Sequence, residues 1–133
     1  MTMQQKIILG ARVLLGLIFF IVGVIGLLNL AQIPTRTAQA YNFLLAMEAA
    51  GYLAKVVHGM EFICGFALML GFFVPLALVL LAPILANIVF FTLFLDPVGL
   101  PISVAVLVLD LFLAWCYRQA FVSLFQMKPE PTL

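Results

Sequence analysis

Five polar side chains interrupt the apolar runs of this chain at positions where chemistry is conceivable: His58, Glu61, Asn87, Thr92 and Asp110. His58 and Glu61 lie three residues apart in VVHGMEFICG, and residues at that spacing are neighbours on one face of a helix. A histidine beside a carboxyl group can hold, accept and release a proton, or hydrogen-bond a bound molecule. Asp110 stands in VLVLDLFLAW and Asn87 in APILANIVFF, each with apolar neighbours on both sides. An ionised carboxylate at mid-membrane is unfavourable by ~2.5–3.5 kcal/mol even on a lenient insertion scale, so Glu61, Asp110 and Asn87 are expected to turn inward.

The elements that position these groups follow from composition. The 133 residues are 67% hydrophobic and 8% charged, with mean hydropathy +1.32, far from the make-up of a soluble domain. The chain reads as an all-α, polytopic membrane four-helix bundle forming one domain. About 20 mostly apolar helical residues cross the ~30 Å hydrocarbon layer, and four such runs occur, at 7–30, 53–73, 76–95 and 102–121. Val74-Pro75 is a tight turn between the second and third spans, and Asp96-Pro97-Val98-Gly99-Leu100-Pro101 punctuates the third and fourth. The first apolar run is too long for a signal-peptide core of ~7–15 residues, and Ala38-Gln39-Ala40 lies well past its end.

The connection from Ala31 to Tyr52 is the one long link. Residues 38–50 favour helix, with Phe43, Leu44 and Met47 on a face opposite Asn42 and Glu48, which predicts a short interfacial helix between spans one and two. An extension of the second span is the alternative. Residues 126–133, with Pro129 and Pro131, are expected to be disordered.

Counting ~1.5 Å per residue from the end of each span nearest the interfacial helix places Glu61, Asn87 and Asp110 each roughly 12 Å deep, at one level. His58 and Thr92 lie nearer that end, so they sketch a polar path that enters there and ends near Glu61 and Asp110. Ser103, Asp110 and Tyr117 are heptad-spaced and give the fourth span one polar stripe. The bland reading of such residues is interhelical hydrogen bonding worth ~1 kcal/mol per contact, without chemistry. Gly16 with Gly23, and Ala67 with Gly71, predict close helix contact, and Pro83 leaves the Val79 carbonyl without its helical donor.

Arg12 and Trp115 read as interface anchors, Arg12 beside Lys6 and Trp115 beside Tyr117. Lys6, Arg12, Arg118 and Lys128 gather on the side of the termini, against Arg36 and Lys55 opposite, so both termini are expected on the cytoplasmic side. Scattered basic residues and a net charge of +1 exclude a phosphate-tracking surface, so no nucleic-acid partner is expected. Cys64 and Cys116 have no metal or redox spacing and read as packing residues. With His58 alone, bis-histidine haem ligation within the chain is excluded, and no metal site or autonomous catalytic motif is present.

Arg12-Val-Leu-Leu-Gly16 with Gly23, Gly59-Met-Glu61 with Gly65 and Gly71, VPLALVLLAPILANIVFF leading to LDPVGLP, and LFLAWCYRQAF together resemble the DoxX family of small four-helix membrane proteins, over almost the whole chain. Family members often carry a histidine where this chain has Thr92. The resemblance implies the fold and a link to thiosulfate, quinone or thiol redox chemistry. Three functions are therefore expected to compete. One is a redox-linked accessory subunit with an intramembrane pocket for a quinone-like small molecule and a membrane or peripheral redox protein as partner. Another is a non-enzymatic assembly factor, chaperone or receptor. The third is a small transporter or proton path, for which a homo-oligomer widens an otherwise narrow bundle.

Overall fold

The protein, described from a computed structural model, is all-α, and the structure covers residues 1–31 and 35–132. Residues 32–34, within the link expected to carry the interfacial helix, and residue 133 of the tail lie outside the described residues. Helix α1 runs over Met3–Leu28, α2 over Ala38–Ala49, α3 over Leu53–Leu70, α4 over Val74–Phe94 and α5 over Leu100–Cys116. Short 3-10 turns occupy Pro97–Gly99 and Arg118–Phe125. Four of these helical stretches are long and apolar enough to cross a bilayer, and the chain is an integral membrane protein.

The helix ends differ from the sequence expectation for local reasons. Helix α1 starts at Met3 instead of residue 7 because Thr2 and Gln5 form a reciprocal capping box that satisfies two backbone donors. Helix α3 stops at Leu70, short of residue 73, because Gly71 turns left-handed at φ 82° and, with Phe72, donates to the Ala67 carbonyl. Pro75 then starts α4 in its first turn, where the missing N–H costs nothing. Helix α4 runs unbroken through Pro83. Helix α5 ends at Cys116 instead of residue 121. Arg118 folds back to donate to the Trp115 carbonyl at 3.0 Å and lies 4.6 Å over its ring, and the chain continues as a 3-10 turn.

The spans close a ring in which α1 packs on α3, α3 on α4, α4 on α5, and α5 back on α1. The α1–α3 contact is the most extensive, and glycine makes it possible. A Cβ added to Gly16 would fall 2.7 Å from the Gly65 carbonyl oxygen, and one added to Gly23 would fall 2.6 Å from the Phe62 nitrogen. Backbone thus meets backbone, the arrangement by which membrane helices gain packing without help from water. Phe20 stacks on Phe62 beside this seam, with ring centroids 5.0 Å apart. The ring encloses Leu15, Phe19, Cys64, Leu68, Leu78, Leu81, Leu85 and Leu113.

Helix α2 covers one end of the ring, where α1 ends and α3 begins. Thr37 caps it, accepting from the Ala40 nitrogen at 3.1 Å, and the same hydroxyl donates to the Leu95 carbonyl at the end of α4. Next to it Arg36 reaches the buried Asp96 at 3.4 Å, so two adjacent residues strap the roof to the α4–α5 turn. Phe43 packs on Phe91 of α4 at 5.4 Å between centroids. The segment is thus tied to the bundle at these points, while most of α2 stays exposed, with Ala40 buried.

Candidate functional site

Beneath α2, between the last turns of α1 and the first turns of α3, lies a cavity of about 730 Å³. Its wall is mainly apolar, with Val22, Ile25, Leu44 and Ala54, and its polar groups come from Asn29, Thr35, Tyr41, Glu48 and His58. The size falls within the ~300–1,000 Å³ range of pockets that hold small organic ligands, and an apolar wall with a few polar groups is the usual lining of such pockets.

His58 joins this cavity to buried Glu61, its neighbour on the same helix face. Its Nδ1 lies 3.2 Å from Oε2 of Glu61, which is 3% exposed. The imidazole lies flat against Gly26 of α1, where an added Cβ would collide with Cγ, Cδ2 and Nδ1 of the ring. Gly26 is therefore what admits the ring between two helices at contact distance. Among the described residues Nε2 makes no hydrogen bond, so the pair has one engaged nitrogen and one uncommitted. A carboxylate on one ring nitrogen sets the tautomer and leaves the other to meet a ligand.

The other polar residues occupy separate surroundings. Thr92 and Ser103 meet at 2.7 Å between α4 and α5, both buried, and each hydroxyl also lies within 3.1 Å of carbonyls of its own helix. One hydroxyl donates to the other, which donates to its own backbone, and this closed circuit joins two helices. Asp110 is 2% exposed on α5, and its Oδ1 has no hydrogen-bond partner among the described residues. No hydrogen bond joins it to Glu61 or Asn87 among the described residues. The stripe expected on α5 does face inward, with Ser103 and Asp110 buried and Tyr117 packed against the core.

Asn87 corrects the sequence reading. It is exposed on the outer surface of α4, not turned inward with Glu61 and Asp110. Leu78, Leu81 and Leu85 face the core, and Asn87, two residues past Leu85, is rotated by about 200° to the opposite side. The single polar layer implied by depth therefore separates into three places: His58–Glu61 at the α1–α3 seam, Asp110 inside the ring, and Asn87 outside it.

Arg12 lies at the end of the bundle away from α2, its guanidinium against Gly71 at the C-terminus of α3, with Nε buried and without a hydrogen-bond partner among the described residues. Positive charge there complements the exposed carbonyls that end a helix. Trp115 is 66% exposed at the same end, beneath Arg118. Both cysteines are free, and no group of three or more His, Cys, Asp or Glu side chains among the described residues is placed to hold a metal.

Several site residues escaped sequence reasoning. Gly26 carried a signal, since it follows Gly23 by three residues and extends the same small-residue face. Arg36 and Asp96 carried none, being 60 residues apart in chain order. Comparison with protein-family models, curated proteins and solved structures gave no match.

Proposed function

We propose that this protein is a membrane-embedded binding subunit for a lipophilic small molecule with hydrogen-bonding oxygens, a quinone or its quinol, held in the cavity beneath α2. The observation that carries the reading is that His58 lines this cavity while its Nδ1 is held by buried Glu61. A head group reaching His58 meets Nε2, the uncommitted nitrogen, and an isoprenoid tail finds the apolar wall and the bilayer beside it. With Nδ1–H directed to the Glu61 carboxylate, Nε2 accepts a hydrogen bond from a quinol hydroxyl. If a quinol bound there were oxidised by a redox protein partner that took its two electrons, Nε2 would take one of its two protons and the other would leave to water at the roofed end. The Glu61 carboxylate stabilises the imidazolium so formed.

The motifs resembling the DoxX family support a redox-linked accessory role in a bacterial inner membrane. The distribution of Lys and Arg supports cytoplasmic termini with the α2 roof on the opposite side. Separation of the polar residues favours binding over conduction, because Thr92 and Ser103 satisfy one another and lead nowhere.

The test is thermal unfolding of the purified protein in lipid nanodiscs with a short-chain ubiquinone or menaquinone. A ligand present at 100 times its Kd adds about 2.7 kcal/mol to the folded state. Protection that disappears in His58→Ala supports the proposal. Wild-type protein unmoved by either quinone refutes it.

A further inference from the structure

We propose that the outward face of α4 around Asn87 is the contact between two copies of this chain, paired side by side in the membrane. Asn87 lies seven residues, roughly 10 Å, from the end of α4 at Phe94 and thirteen residues, roughly 20 Å, from its start at Val74. Its amide is exposed there and makes no hydrogen bond among the described residues. At that depth no water is present to satisfy a carboxamide, and a polar group facing hydrocarbon is unfavourable.

Three features point to a second copy as the occupant. A carboxamide is self-complementary, carrying both donor and acceptor, so two of them satisfy each other reciprocally. A two-fold axis along the membrane normal brings identical residues of parallel copies to equal depth, so Asn87 meets Asn87 without any further matching. The surface on either side admits close approach: Ala82 and Ala86 form a small-xxx-small pair on this exposed face, with Pro83 between them. Val79 and Phe90, both exposed, flank this patch one turn further out in each direction. The glycine-built seam of α1 and α3 lies inside the bundle and is already filled, which leaves α4, among the described residues, as the span offering lipid a polar group away from its ends.

The association is measured by single-molecule photobleaching of the labelled full chain in phosphatidylcholine vesicles over a range of protein-to-lipid ratios. Wild-type protein is expected to dimerise. Asn87→Leu is expected to weaken the dimer about tenfold, and Asn87→Gln to retain it. Because Asn87 is exposed, the unfolding temperature of each variant stays near that of wild type. In a Cys116→Ser background, Ala86→Cys is expected to form a disulfide-linked dimer on mild oxidation. Monomers at every ratio, dimers indifferent to Asn87→Leu, or no cross-link at Ala86→Cys would each overturn the proposal.

Discussion

Gly26→Ala separates the histidine pair from the rest of the α1–α3 seam. A Cβ on Gly26 overlaps the His58 imidazole by about 1 Å relative to the ~3.5 Å of ordinary carbon contact. A displacement of that size takes Nδ1, now 3.2 Å from Glu61, out of hydrogen-bond range. A hydrogen bond contributes about 0.5–1.5 kcal/mol, and a buried acceptor left without its partner costs about 1–3 kcal/mol, so the loss is expected near 2–3 kcal/mol. Reversible unfolding in micelles measures it, and quinone titration is expected to show affinity lowered about tenfold. The decisive comparison is the same substitution in a His58→Ala background. There the ring is gone, and alanine in a helix is favoured over glycine by about 0.5–1 kcal/mol, so the effect is expected to vanish or change sign. An equal cost in both backgrounds, or no cost in the single variant, refutes the placement of the imidazole on Gly26.

Gly16→Val is expected to disrupt the bundle independently of any ligand, because its Cβ would fall 2.7 Å from the Gly65 oxygen and 2.8 Å from the Met69 nitrogen. Backbone cannot yield as a side chain can, and a loss of about 3 kcal/mol or more is expected in the same unfolding assay, at the upper end of overpacking costs. Thr92→Val is expected to remove only an interhelical hydrogen bond, costing about 0.6–1.7 kcal/mol with quinone protection unchanged. Loss of that protection would return Thr92 to the binding site.

The sequence was informative about helices and about neighbours along one helix. Apolar runs of spanning length located the four membrane segments. Proline and glycine located their breaks within a few residues, with the largest error at the end of α5, where Arg118 returns to Trp115. The His58–Glu61 pair needed only the i,i+3 relation. The inward stripe of Ser103 and Asp110 needed only the heptad.

Rotation was a different matter, and Asn87 shows why. In water an amphipathic helix declares its buried face by where polar residues stop, but α4 is apolar on every side and lipid accepts the same side chains as the core. Depth along α4 could therefore be counted while direction around it could not, and it was the packing of Leu78, Leu81 and Leu85 that turned Asn87 outward. Contacts between distant segments were equally beyond reach: the Arg36–Asp96 strap, the α2 roof and the bed that Gly26 makes for His58 exist only once the helices are assembled. By itself the sequence determined that four helices cross a membrane and that a histidine and a carboxyl share one face of the second. Only the tertiary structure decided which polar groups face a cavity, the core or lipid, because that choice depends on side-chain packing between helices and not on the chemistry of any one of them.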